Sequence, residues 1–197
     1  MTDHSRIGKS NVRKGKTLER RVAHLFTDFT GQEFRRRRVE GRDASVIERE
    51  STADVIPVRG DVLFSIEVKS GQFGTVDALL ANPLNTMLTK WWHQACYDAT
   101  LMTDLFKKDY FPLLFFKFNR NADWIAISKR ALGHIKLIKP VPYFDFDHFV
   151  SCGPVTHNVS HTGNKANEIH MPLKLDAIRF MRWQDFCEAV DPKSIFR

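Results

Sequence analysis

Residues 53–71 of the chain have the sequence ADVIPVRGDVLFSIEVKSG, and this stretch decides the fold. Two apolar runs flank Gly60-Asp61, a pair that favours a two-residue hairpin loop. Counting the strand pairs back from that loop places Asp54 directly opposite Glu67. Directly opposed residues have Cβ atoms about 4.5–5.5 Å apart. The sequence therefore predicts two carboxylates side by side on one face of a hairpin.

The second strand of this hairpin has one polar and one apolar side. Lys69 lies two residues beyond Glu67, so both side chains point the same way. The opposite side is apolar and carries Val62, Phe64, Ile66 and Val68. Mg²⁺ binds one or two carboxylates together with phosphate oxygens and water, and it can activate water for attack on phosphorus. Lys69 could orient that water or offset developing negative charge.

Asp61 is a rival to Asp54 as the partner of Glu67, because it has the same parity on the strand. Six residues along a strand is roughly 20 Å, however, which is too far for one ion to bridge. We therefore assign Asp61 to the turn. A surface hairpin with a cross-strand ion pair, and no metal, would also account for the acids and Lys69.

A third acidic residue lies in the N-terminal part of the chain. Apolar residues recur at helical spacing over residues 16–29, which predicts an amphipathic helix. Glu19 shares one stripe of this helix with Val22 and Phe26. Because an unpaired buried charge is costly, Glu19 could be aimed at the metal site. A first-turn glutamate favoured by the helix dipole accounts for the residue equally well.

Basic residues are concentrated at the N-terminal end. The chain has 30 Lys and Arg against 23 Asp and Glu, a net charge of +7, and residues 1–42 alone hold 12 basic and 5 acidic side chains. This asymmetry indicates a polyanionic partner, most simply nucleic acid, whose binding should weaken steeply as salt rises. A solvated basic face or a membrane-surface patch would also account for the charge. The predicted phosphate contacts are Arg13, Lys14, Lys16, Arg35, Arg36, Arg37, Arg38 and Arg42.

The remaining pattern predicts an α/β fold. After the first helix we expect a strand over residues 33–39, the hairpin, a helix over residues 82–106, and strands over 112–118 and 124–127. This αβββαβ order suits a mixed sheet flanked by helices. We expect a basic flexible arm over residues 1–14, a core over 15–128, and a C-terminal extension over 129–197 packed on that core. A closing helix is predicted over residues 182–190.

Several of these segments together resemble a known group of enzymes. KGKTLERRVAHLF (residues 14–26), a basic strand, Asp54 and then EVKS (residues 67–70) resemble the PD-(D/E)xK nuclease superfamily. Within it, the chain is most similar to the archaeal-type and phage-type Holliday junction resolvases. KWWHQACYDA (residues 90–99) also resembles a helix of phage relatives. The resemblance covers roughly residues 13–128, although Ala53 precedes Asp54 where the motif's name has proline.

The resemblance implies both a fold and a set of site residues. The fold would be a restriction-endonuclease-like core, with Glu19, Asp54 and Glu67 as metal-binding acids and Lys69 as the catalytic lysine. It places Gln94 beside the active site, and we add Ser70, Lys90 and Gln94 to the predicted DNA contacts. The implied cofactor is Mg²⁺, for which Mn²⁺ can substitute.

The resemblance also implies a substrate. We expect a metal-dependent endonuclease that cuts branched DNA such as four-way junctions in recombination and repair. Two symmetric cuts require two active sites, so a homodimer is expected. A restriction-type or general nicking endonuclease and a non-catalytic DNA-binding module remain open as alternatives.

The cellular setting follows from composition. Three cysteines, an odd number and far apart in sequence, indicate reduced thiols. No apolar run approaches the ~20 residues of a membrane span, and the N-terminus has no apolar secretory segment. We expect the cytoplasm of a prokaryote or of a phage-infected host cell, and no membrane partner.

Overall fold

The computed structural model describes residues 4–37, 51–71, 86–119, 121–146 and 178–197, with side chains in the first helix from Arg13 onward. The helices are α1 (His4–Thr30), α2 (Thr86–Phe106), α3 (Lys129–Leu132) and α4 (Trp183–Ala189), followed by a 3₁₀ helix (Pro192–Ile195). The strands are β1 (Phe34–Arg36), β2 (Val55–Pro57), β3 (Phe64–Gly71), β4 (Phe111–Phe118), β5 (Asp123–Ser128), β6 (Phe144–Phe146) and β7 (Ile178–Arg182).

These strands form one mixed sheet in the order β1-β2-β3-β4-β5-β7-β6. Strands β3 and β4 are parallel and joined through α2, whereas the other described neighbours are antiparallel. A parallel pair needs such a crossover, because a tight turn cannot connect two strands that run the same way. The observed order confirms the predicted αβββαβ core and the α/β class.

Alternate residues of the central strands face two separate cores. On one face, α1 and α4 contribute Phe26, Trp183 and Phe186, which pack against a cluster that includes Phe115. On the other face, α2 contributes Trp92 and Ala95, which pack against a cluster that includes Leu114 and Phe116. The two clusters bury the central strands on both sides. An acidic side chain on β3 is therefore buried against a helix unless it lies beyond the part of the strand that the helix covers.

The first helix is longer than predicted. It begins at His4 rather than Lys16, so most of the segment predicted as an arm over residues 1–14 is helical. Lys and Arg are good helix formers, and a basic stretch without apolar periodicity can therefore still continue a helix. The helix ends at Thr30, one residue beyond the predicted range, and is followed by Gly31, whose φ of 70° places it in the left-handed region. Its N–H donates to the Thr27 carbonyl at 2.8 Å.

The hairpin has the predicted register but not the predicted turn. Val55 pairs with Ile66, the partners expected if Asp54 is opposite Glu67. The strands then separate, and residues 58–63 form a wider connection instead of a two-residue loop. Val62 pairs with Phe196, and the Leu63 N–H donates to the Ile195 carbonyl at 2.9 Å. Near the turn, the residues just before β3 therefore pair with the C-terminal segment and not with the preceding strand.

Asp61 holds this wider connection in place, in agreement with its assignment to the turn region. Its carboxylate accepts a hydrogen bond from the Tyr110 hydroxyl at 2.7 Å and pairs with the Lys108 ammonium at 3.0 Å. Its carbonyl accepts from the Arg197 N–H at 3.1 Å. The Asp61 carboxylate is therefore bound to Tyr110 and Lys108, before the start of β3 and away from Glu67.

The described parts of residues 129–197 continue the same sheet. β7 pairs with β5 on one side and with β6 on the other. The predicted closing helix is confirmed as α4, and its Phe186 is completely buried. None of the helices in the described ranges has the length and hydropathy that a membrane crossing requires.

Candidate active site

The candidate site is built where β2 ends beside β3. Because Val55 pairs with Ile66, the preceding residue Asp54 lies next to Glu67. The Asp54 side chain extends the hydrogen bonding between the two strands, because its Oδ2 accepts a hydrogen bond from the Val68 N–H at 2.9 Å. Its own N–H donates to the Ile66 carbonyl at 2.9 Å. These two bonds hold the Asp54 carboxylate against the backbone of β3.

Glu67 completes the acidic pair from the middle of β3. Its Cα partner on β4 is Leu114, which belongs to the core under α2, so Glu67 also points towards α2. Only 4% of Glu67 is exposed. The Lys69 ammonium, two residues along on the same side of the strand, donates to the Glu67 Oε1. The structure thus brings together Asp54, Glu67 and Lys69.

Burial is the largest influence on the protonation of both acids. Burial and then the charge of Glu67 raise the pKa of Asp54 to about 7. Burial also raises the pKa of Glu67. For Lys69, burial alone would lower the pKa, but the adjacent Glu67 outweighs that effect and raises it. Lys69 is therefore cationic at neutral pH. The carboxyl groups of Asp54 and Glu67 are close enough to share a hydrogen bond, which acts against the effect of burial on the pKa of Glu67.

This electrostatic conflict predicts a pH dependence of stability. The pKa of Asp54 is about 7 in the fold against an ordinary value of 3.8, so the folded chain holds this proton more tightly than the unfolded chain. The contribution of Asp54 to the free energy of unfolding should therefore fall as pH rises from about 4 to 7 and then level off. Thermal unfolding in metal-free buffer would measure it. The Asp54→Asn protein should show a flatter profile, and an identical profile for both proteins would contradict the prediction.

A fourth acid, Asp98, comes to the site from α2. It is 6% exposed, and its Oδ2 accepts from the Gln94 Nε2 at 2.9 Å. Burial, and to a smaller extent the charge of Asp54, raise its pKa. Asp98 in turn acts on both Glu67 and Lys69. Asp98 was not predicted from the sequence as a site residue, although its i, i+4 spacing from Gln94 places both on one side of the helix.

Glu19 has a different immediate partner. Its carboxylate pairs with the Arg36 guanidinium, and both side chains are largely buried. Glu19 comes from α1, which packs on the face of the sheet opposite α2. Its charge nevertheless contributes to raising the pKa of Asp54, after burial and Glu67. Glu19 is therefore near the site but turned towards Arg36, and its role as a metal ligand remains a prediction.

The donor chemistry at Asp54 and Glu67 fits a hard divalent cation. Two carboxylates converge there, and Lys69 is the cation that directly pairs with one of them. Such oxygens are what Mg²⁺ binds, usually with several waters retained. Within the described ranges, no three acidic, His or Cys side chains stand together as a ready metal-ligand group. The arrangement therefore fits an ion bound by two carboxylates plus water.

A comparison with protein families bears on this geometry. The family described as "Phage putative PDDEXK endonuclease" matches residues 10–148, which is more than half of the chain. The chain belongs to this family. The match includes α1, the hairpin, α2 and the β4–β5 pair, and so spans every residue of the site described above. No match was found among curated proteins or among solved structures.

Membership in the phage PDDEXK endonuclease family places the chain among the PD-(D/E)xK nucleases, whose substrate is DNA. The letters of the motif map onto Asp54 and onto Glu67-Val68-Lys69, with Ala53 in the position of the proline. This mapping agrees with the geometry, because Asp54 and Glu67 are adjacent in space although 13 positions apart in sequence.

The predicted DNA contacts of this PDDEXK protein fall into three groups. Arg13, Lys14 and Lys16 are exposed or partly exposed on α1, and Ser70 and Lys90 are exposed on β3 and α2. Arg35, Arg36 and Arg37 are partly buried at the edge of the sheet, and Gln94 is held by Asp98. Arg38 and Arg42 lie outside the described residues.

Proposed function

We propose that this chain is a Mg²⁺-dependent endonuclease that hydrolyses phosphodiester bonds in DNA, with four-way junctions as its leading substrate. The observation that carries the proposal is the buried Asp54–Glu67 pair with the Lys69 ammonium on it. An ion pair with Lys69 that only stabilised the fold would need one carboxylate, and Asp54 adds a second beside Glu67. Because such a pair is costly to bury, its presence beside a surface rich in arginine supports a catalytic role.

Each residue has a defined task in this proposal. Asp54 and Glu67 would hold the ion, with Glu19 as a further acid, and Mg²⁺ or Mn²⁺ would supply Lewis acidity and an activated water when bound. Lys69 is cationic and could leave Glu67 to donate a hydrogen bond to the water or to a phosphate oxygen. Asp98, held by Gln94 on α2, would add a third negative charge beside Glu67 and Lys69.

The basic residues would position the DNA. Arg13, Lys14 and Lys16 on α1 would contact phosphates without reading the base sequence. Symmetric cutting of a junction needs two sites related by a two-fold axis, so we propose a homodimer. The setting would be recombination or repair in the cytoplasm of a phage-infected cell; the description of the family supports the link to phage.

A cleavage panel tests the proposal. Labelled four-way junction, linear duplex of the same arm sequence, and single-stranded DNA are incubated with Mg²⁺, Mn²⁺ or EDTA. We expect paired, symmetric nicks in the junction with Mg²⁺ or Mn²⁺ and no product with EDTA. Equal cutting of the linear duplex would favour a restriction-type or nicking endonuclease instead. If neither metal supports cleavage of any substrate, the chain is a DNA-binding module and the catalytic proposal is wrong.

A further inference from the structure

The ion pair between Arg36 and Glu19 joins the basic edge of the sheet to the acidic site. We propose that Arg36 couples DNA binding to metal binding: it holds Glu19 while DNA is absent and releases it when a phosphate takes the guanidinium. Arg36 is then a positioning residue that acts through Glu19. This inference rests on the proposed function, because it assumes that the site binds a divalent ion and cuts DNA.

The geometry places Arg36 next to both Asp54 and Glu19. Its Cα partner on β2 is Val55, the residue directly after Asp54, and the next residue, Arg37, donates its N–H to the Asp54 carbonyl at 2.9 Å. The Nε of Arg36 pairs with the Glu19 Oε2. Two consecutive residues at the end of β1 therefore act on both acids. The Arg37 backbone supports Asp54, and the Arg36 side chain pairs with Glu19.

Glu19 is close enough for its release to matter. After burial and Glu67, its charge is one of the groups that raise the pKa of Asp54. While Arg36 is paired with it, that charge is largely balanced. Once the guanidinium leaves, the unbalanced charge of Glu19 would act together with the charges of Asp54 and Glu67, and a divalent cation would bind more tightly there.

A DNA phosphate is a strong competitor for Arg36. The planar guanidinium binds phosphate oxygens with two parallel hydrogen bonds, as it binds a carboxylate. About a quarter of the Arg36 side chain is exposed, at 24%, so it can be reached from solvent. It also lies between Arg35 and Arg37 in the run predicted to contact DNA. The exchange needs only a change of partner by one side chain.

A second ion pair on the same helix provides a matched control. Arg21, two positions from Glu19 on α1, pairs with Asp123 on β5, and its Nη1 lies 2.9 Å from Oδ1. Its side chain is partly exposed. The chemistry is the same, a guanidinium on a carboxylate, but Asp123 is not among the groups that act on Asp54, Glu67 or Lys69.

The test is calorimetric titration of Ca²⁺ into DNA-free protein. We expect Arg36→Gln to bind Ca²⁺ at least about five-fold more tightly than the wild type, the lower end of typical coupling between sites. Arg21→Gln should match the wild type. In the double variant with Glu19→Gln, the gain should disappear, because Glu19 is the group released. Arg36→Lys keeps the charge but loses the two parallel hydrogen bonds of the guanidinium, and it should show an intermediate gain. It serves as the second variant if Arg36→Gln folds poorly.

The outcomes separate this inference from the proposed function. If Arg36→Gln and Arg36→Lys bind Ca²⁺ no more tightly than the wild type, or if the gain persists without Glu19, the coupling role of Arg36 is wrong. The proposed function survives that result as long as Ca²⁺ binding is lost in Glu67→Ala and the wild type cuts DNA. If the wild type binds no divalent ion and cuts nothing, the proposed function itself fails. DNA added to the wild type should reproduce the gain seen in Arg36→Gln.

Discussion

Replacing Glu67 with alanine is expected to abolish Mg²⁺-dependent cleavage, with a loss of at least about a thousandfold, at the upper end of what one electrostatic group contributes to catalysis. Glu67 is almost completely buried and interacts electrostatically with both Asp54 and Lys69. In the proposed mechanism its loss removes an ion ligand, and it also frees Lys69 from its partner. Cleavage of the preferred substrate under single-turnover conditions would measure the effect.

DNA binding by the same variant should be nearly unchanged. In EDTA, the affinity of Glu67→Ala measured by fluorescence anisotropy should stay close to that of the wild type, because the proposed phosphate contacts lie elsewhere. Glu188→Ala is a suitable control, since Glu188 is exposed on α4 and pairs with Lys139 at 2.6 Å. Undiminished cleavage by Glu67→Ala would rule out a catalytic role for this residue.

Stability offers an independent view of Glu67. The isosteric Glu67→Gln keeps the shape of the side chain but removes a buried charge that repels Asp54. It should unfold at the same temperature as the wild type or higher in metal-free buffer near pH ~8, because Asp54 and Asp98 remain to balance the charge of Lys69, while cutting as poorly as Glu67→Ala. A residue that costs stability and is required for activity has a functional reason to be buried.

The second large effect concerns the C-terminal helix. Phe186→Ala is expected to lower the free energy of unfolding by about 3–5 kcal/mol, the range for deleting a fully buried phenylalanine. Its ring packs on Trp183 at 5.7 Å and on Phe29 of α1 at 5.6 Å between centroids. The substitution would leave a cavity between the helices that cover one face of the sheet. Urea unfolding followed by circular dichroism would measure the change.

The matched control for Phe186 is another phenylalanine from the same part of the chain. Phe144 on β6 is 51% exposed and lies at the edge of the sheet. Phe144→Ala should change the free energy of unfolding by less than about 1 kcal/mol. If Phe186→Ala were equally mild, α4 would be an appendage and not an integral part of the core.

The hairpin that carries Asp54 and Glu67 could be predicted because its information is local. The register of Asp54 against Glu67 follows from a count of residues between them, and the parity of Lys69 follows from the pleat of one strand. Even so, the predicted two-residue turn was wrong. Phe196 pairs with Val62 from the far end of the chain, and nothing in residues 53–71 encodes that long-range contact.

Asp98 and Glu19 show where local patterns stop being informative. The spacing of Gln94 and Asp98 indicates that they share a side of α2, but which side faces β3 depends on how that helix packs on β4. Glu19 was predicted to point at the site, whereas packing of α1 places Arg36 within its reach. Both outcomes depend on contacts between elements distant in sequence. Periodicity within one helix cannot supply them.

The position of a bound metal ion is the most direct test of the nuclease mechanism. Crystals of the wild type soaked in Mn²⁺ should show an anomalous peak in contact with the carboxylates of Asp54 and Glu67, with Lys69 displaced from Glu67. If saturating Mn²⁺ gives no peak there and the Lys69–Glu67 pair is intact, the two acids do not form a metal site and the nuclease mechanism proposed for this chain is wrong.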